Sequence, residues 1–175
     1  MKFLLIFIIL LVGCTGPEYE KEETIAVLEG EEITAEDVLW QSSLEKKPED
    51  IIKSFLKQEV VIKEAKNMGI TVSEKEVEEK VQEEFPGADL TRRFEAYGNK
   101  DFYREQASLL GVSPEEYYET WEEINYTRGL YWDKYFNEKF AEPTEKNLES
   151  WAQKVDEHGD ELFNAYKKEG KLEMK

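Results

Sequence analysis

Three times in this chain a hydroxyl residue stands three positions ahead of an acid at the head of a stretch with apolar periodicity: Thr34 with Asp37, Ser73 with Glu76, and Ser113 with Glu116. A hydroxyl oxygen placed there accepts a first-turn amide hydrogen, so each pair marks where a helix begins. Pro48 and Pro114 stand at expected first helical positions, where the missing amide hydrogen costs nothing. These marks predict a mostly α fold of four or five helices, with shorter helical fragments between them. The first is read over 35–44. The second, 49–68, stops at Gly69 and presents Ile51, Ile52, Phe55, Leu56, Val60, Ile62 and Ala65 as a broad apolar side suited to burial against two neighbours. The third, 74–85, carries Val77, Val81 and Phe85 at four-residue spacing and ends at Pro86-Gly87. Fragments over 90–97 and 101–110 stop at Gly98 and Gly111. The longest helix, 114–140, extends about 40 Å. Pro143 and Thr144 break it and start a last helix that runs through 167. Ahead of them all, 24–28 and 31–33 flank a Glu29-Gly30 turn and read as a short β segment.

The amino terminus sets the location. Residues 3–13 are apolar or glycine and stop at Cys14, the only cysteine, after which the chain turns polar and acidic. Met1-Lys2 supplies a positive start, and 3–12 is too short to span a hydrocarbon layer of about 30 Å as a helix. Leu11-Val12-Gly13-Cys14 reads as a cleavage site with small residues next to the cut, which assigns 1–13 to a signal peptide. An ordinary secretory signal with a stray cysteine, and an uncleaved anchor, fit the same run. The four residues resemble the lipobox of bacterial lipoproteins. That resemblance implies a diacylglyceryl group on the Cys14 sulfur and a mature chain that starts there, lipid-anchored at the outer face of the bacterial cytoplasmic membrane or in the cell envelope. Two or three acyl chains, at about 0.8 kcal/mol per buried methylene, give stable attachment. Residues 14–23, rich in Gly, Pro and charge, read as a tether reaching about 30 Å when extended.

Charge narrows the partners. The 175 residues carry a formal net charge of −17, and loss of 1–13 removes Lys2 and takes it to −18. Such a chain repels phosphate backbones and anionic lipid surfaces, so neither nucleic acid nor a basic-patch membrane mode is expected. With Cys14 acylated there is no disulfide, and stability must come from packing. The part beyond the tether, 24–170, is long enough for a single domain with a core of its own.

The order of the pieces carries a second resemblance. Val27-Leu28-Glu29-Gly30-Glu31-Glu32-Ile33-Thr34 is followed by an acidic helix, then by a long apolar helix ending in Ala65-Lys66-Asn67-Met68-Gly69-Ile70-Thr71-Val72-Ser73-Glu74-Lys75-Glu76-Val77. Leu109-Leu110-Gly111-Val112-Ser113-Pro114-Glu115-Glu116-Tyr117-Tyr118 and the closing Pro143-Thr144-Glu145 step complete the series. Together they resemble the N-terminal chaperone module of the SurA/PrsA family of extracytoplasmic folding factors. The resemblance implies a SurA N-terminal-like helical chaperone module with a short β segment at its start, and nonnative secreted polypeptides as partners. Larger members of that family add a parvulin prolyl isomerase domain whose site uses paired histidines. This sequence ends at Lys175 and holds one histidine, His158, so isomerase activity is not carried over.

No other bond-making chemistry stands out. A nucleophilic site needs a base beside Ser or Cys, and metal hydrolysis needs clustered ligands; one histidine and one acylated cysteine serve neither. Asp156-Glu157-His158-Gly159-Asp160-Glu161 lacks the spaced-oxygen loop of a calcium hand. Neither a phosphate-binding glycine loop nor Gly-x-Ser-x-Gly occurs. No catalytic residue, metal site or cofactor is assigned.

What rises above this background is aromatic. On the long helix, Tyr117, Trp121, Ile124, Arg128, Tyr131 and Tyr135 follow alternating four and three spacing and form one stripe. Trp132, Phe136 and Phe140 lie off that line, toward the side of Tyr118. Either the helix is clasped on both sides by neighbours, or one face stays partly open as a groove. The open reading makes Tyr118, Trp121, Tyr131, Trp132, Phe136 and Phe140 the candidate polypeptide-binding surface, since Tyr and Trp join apolar area to a polar edge. The expected function is a membrane-anchored extracytoplasmic chaperone, a holdase for nonnative secreted polypeptides. The alternative is an envelope interaction lipoprotein that docks one protein partner or self-associates as a homodimer by exchanging terminal helices.

Overall fold

The computed structural model describes residues 19–98 and 100–175. The signal segment 1–13 and Cys14 lie outside them. Strands β1 (Thr24–Leu28) and β2 (Glu31–Thr34) pair antiparallel across Glu29-Gly30, whose φ angles of 50° and 86° give the left-handed turn that a two-residue hairpin needs. Thr34 ends β2 and caps α1 (Ala35–Leu39) reciprocally: its amide donates to Asp37 Oδ2 at 2.7 Å, and the Asp37 amide donates to Thr34 Oγ1. The next orphan amides of α1, on Ala35 and Glu36, donate to the carbonyls of Glu23 and Lys21. Residues 19–23, assigned to the tether from composition, are therefore docked on the domain, and Tyr19 packs against its core. Composition missed this because the contacts are made by backbone carbonyls that any residue supplies.

Helix α1 ends at Leu39, short of the expected 44, because side chains from distant helices take its carbonyls. Gln106 Nε2 donates to Leu39 O and Ser42 O, both at 2.9 Å, and the Tyr117 hydroxyl lies 3.0 Å from Leu39 O. The helices α2 (Pro48–Asn67), α3 (Glu74–Glu84), α5 (Asp101–Leu110) and α6 (Pro114–Phe140) follow the expected bounds closely. Ser73 and Glu76 close a second reciprocal cap, and Ser113 accepts from the Glu116 amide at 3.1 Å. Helix α4 (Leu90–Arg93), capped by Asp89, widens into a π turn over Phe94–Gly98. Helix α7 (Leu148–Lys168) starts four residues later than expected, since the Thr144 amide and hydroxyl both bond Asn147 Oδ1 and hold a turn ahead of it.

The domain does not end at 170. Leu172–Met174 forms β3, which pairs antiparallel with β1 and completes a sheet of order β2-β1-β3; Leu172 faces Leu28 and is buried. A three-residue strand carries no periodic signal, so the sequence pattern ends at the helix.

Helix α6 is the axis of the mostly helical fold. Its first half packs on α5 and, through Tyr117 and Tyr118, joins the core built from the sheet, α1 and the start of α2. Its second half lies against α2 and α7, where Val61, Ala65, Tyr135, Phe136 and Val155 form a second apolar cluster. Leu162 of α7 touches both clusters and makes the two continuous. Of the two readings of the aromatic helix, the clasped one describes most of its length. No helix among the described residues is long and apolar enough to cross a membrane.

Candidate functional site

The hairpin, α2 and α6 meet imperfectly and leave a groove of about 340 Å³. Its walls are Ile33, Trp40, Phe55, Ile62, Ile124 and Tyr131. Each is placed by a different local device. Ile33 sits at the end of β2; Trp40 follows the truncated α1 and stacks on Tyr117 at 5.3 Å between ring centroids. Ile124 and Tyr131 lie two turns apart on one side of α6. Arg128, between them, donates to the Glu59 carboxylate and to Gln58 Oε1, and its guanidinium lies over the Phe55 ring at 4.5 Å. Burial pulls this guanidinium down to about 10, so it remains charged at neutral pH. Lys63 closes the hairpin side by donating to Glu31 at 2.9 Å, which holds the Glu31 carboxyl below its ordinary value.

A smaller hollow of about 240 Å³ shares Ile62 and Arg128 with this groove and is bounded by Gln41, Asn125, Gly129 and Trp132. A β-carbon at Gly129 would meet nothing within 4 Å beyond its own helical backbone, so the hollow is open over that turn. At the openings Arg128 is paired with Glu59 and Lys63 with Glu31, and Lys66 lies over the Tyr131 ring, whereas the walls between them are aliphatic and aromatic. Such a surface takes up apolar side chains and leaves polar backbone at the rim.

Comparison with protein-family models, curated proteins and solved structures gives no match.

The aromatic residues singled out in the sequence separate into three groups. Tyr131 and Trp132 are half-buried and line the groove and its neighbouring hollow. Tyr118 and Phe136, at 2% and 0% exposure, are core and offer no open surface. Tyr118 packs edge-on to Phe94 and Tyr103, and its hydroxyl donates to Glu122 Oε1 at 3.1 Å; burial raises its phenol. Phe136 lies among Trp132, Tyr135, Phe140, Trp151 and His158. Trp121 and Phe140 are half-buried, but they cover those two cores rather than a groove. For these four residues the clasped alternative holds: α5 and α7 supply the second wall that the sequence leaves unplaced.

Sequence reasoning missed Trp40, Ile33 and the Arg128–Glu59 pair as site residues. Trp40 had one usable signal, a large aromatic immediately after a short capped helix. The approach of β2 to α6 had none. Among the described residues, no group of three or more His, Cys, Asp or Glu is arranged to hold a metal ion.

Proposed function

We propose that this chain is a membrane-anchored extracytoplasmic holdase that shields apolar segments of nonnative secreted polypeptides. In this reading Cys14 carries the lipid, and the helical domain is a SurA N-terminal-like module without isomerase activity. One observation carries it: a groove walled by Trp40, Ile33, Ile124 and Tyr131 that is open to solvent. Aromatic rings with polar edges accept varied apolar side chains at a small entropy cost, and the shallow contact area keeps binding weak and reversible. The strong negative charge keeps a loaded complex soluble. Release then requires only dissociation, with no nucleotide.

The test is suppression of aggregation for several unrelated unfolded proteins by the full-length chain in zwitterionic detergent. The expected result is suppression by the natural chain and its clear loss in Tyr131→Ala/Trp132→Ala, with helical content retained by circular dichroism. No suppression of any client, together with retention of one folded envelope protein, would replace this reading with a dedicated docking role. Mass spectrometry of the Cys14 peptide checks the anchor separately, and an unmodified thiol on membrane-released protein would remove it.

A further inference from the structure

A second and larger groove lies on another side of α6, where α3 and α4 stand away from it and enclose about 820 Å³. Helix α3 is held there by polar contacts at its two ends. Lys134 donates to Glu76 and to Thr71 O, and the Tyr126 hydroxyl donates to Glu84 at 2.7 Å. Between these ends its apolar stripe is incompletely covered. Val81 is buried, whereas Val77, like Val72 and Leu90 in the same groove, is half-exposed.

The edges of this groove are of one sign. Glu74, Glu78, Glu119 and Glu123 are exposed along it, and among the described residues none of the four is paired with a basic side chain. The one basic residue in the lining, Arg93, is fully engaged: Nε and Nη2 donate to the two Glu122 oxygens at 2.8 and 2.6 Å, and Nη1 donates to Ala88 O. An apolar floor between two unpaired carboxylate rims complements a segment that carries apolar side chains toward the floor and ammonium or guanidinium groups toward both edges.

We infer that the α3–α4–α6 groove is a docking site for extended polypeptide segments in which aliphatic residues alternate with lysine or arginine. It is separate from the groove of Tyr131 and Trp132 and goes beyond general shielding of apolar chain, because it selects by charge.

The probes are two fluorescent twelve-residue peptides, one alternating Leu and Lys and its twin with Glu at each Lys, read by anisotropy against the full-length chain in zwitterionic detergent. The Lys peptide should bind at least about tenfold tighter than its twin at low salt, and the advantage should shrink as salt rises. Glu78→Gln/Glu119→Gln/Glu123→Gln should weaken the Lys peptide by about tenfold, the sum of three exposed charge pairs. The control Glu142→Gln/Glu145→Gln/Glu149→Gln removes the same charge from the start of α7 and its approach, and should change binding less than about twofold. Equal loss in both triple variants would mean long-range attraction by an acidic protein and would overturn the site, as would equal binding of the two peptides. Tyr131→Ala/Trp132→Ala should leave the Lys peptide bound while aggregation suppression falls. Loss of both in that variant would place both activities in one groove and remove this inference alone; loss of suppression with no Lys-peptide binding to the natural chain would leave the holdase reading standing.

Discussion

Arg93 and Glu122 form a two-pronged ion pair inside the protein, joining the end of α4 to the middle of α6 with both side chains about nine-tenths buried. The Tyr118 hydroxyl donates to the same carboxylate, and Ala88 O takes a further guanidinium hydrogen. Every strong donor and acceptor in the network therefore has a partner, and among the described residues no buried side-chain nitrogen or oxygen is left unsatisfied. Removing one charge strands the other. Arg93→Met is expected to cost about 3–5 kcal/mol, and Arg93→Met/Glu122→Gln, which keeps an acceptor for Tyr118, should recover most of that. Urea unfolding of the single and double variants checks the difference.

The π turn that follows Arg93 depends on a close approach at Gly98. A β-carbon there would stand 2.5 Å from Phe94 Cδ2 and 2.6 Å from Tyr118 Cδ2, the latter a fully buried ring. Gly98→Ala should destabilise the fold by about 1–3 kcal/mol. Gly129, mid-helix and facing open space, is the counterpart: Gly129→Ala should stabilise by about 0.5–1 kcal/mol through helix propensity. Opposite shifts of the unfolding midpoint are the expected readout.

His158 Nε2 lies 2.8 Å from the Tyr135 hydroxyl, with the rings of Tyr135, Phe136 and Phe140 around it. Burial first, and Lys139 second, push its imidazolium below the ordinary value of 6.5, against the opposing pull of Glu161 and Glu64. The unfolded chain therefore takes up this proton at a higher pH than the folded one. Stability from this group is complete above pH 6.5 and is lost as the pH falls below it. Urea midpoints at pH 7.5 and 5.5 should fall further for the natural chain than for His158→Gln, in which the shared carboxylate contribution is unchanged.

Strand β3 is short, yet Leu172 is 2% exposed and sits opposite Leu28 in the sheet. Leu172→Ala should cost about 2 kcal/mol, the low end for a buried leucine because a terminal strand can relax. Deletion of residues 171–175 should cost more, since Lys175 N also donates to Ile25 O and Lys171 O accepts from Glu29 N. Thermal unfolding of both variants against the natural chain gives the order.

The starts of α1, α3 and α6 were legible because a cap joins residues three apart, whereas α7 begins four residues beyond its expected start. Thr34, Ser73 and Ser113 each bond the amide that the spacing assigns to them. Helix ends were legible where glycine stops the chain, as at Gly111, and not where a remote side chain intervenes, as Gln106 and Tyr117 do at the end of α1. The candidate site was legible in kind but not in detail. The aromatic richness of α6 pointed to the right helix, and Tyr131 and Trp132 do border open hollows. Tyr118 and Phe136 share their chemistry and spacing, but they are enclosed by Phe94 and Tyr103 in one case and by Trp151 and His158 in the other.

By itself the sequence determined the helical character, the order of elements, the acidic surface and the hairpin, because each follows from residues that interact within a turn or from composition alone. Tertiary structure decided which apolar faces are closed, that the last residues return to pair with β1, and that Arg93 finds Glu122. Those outcomes depend on which segments far apart along the chain come to lie side by side. A side chain's own apolar character says that it will be buried against something, and only packing selects the neighbour.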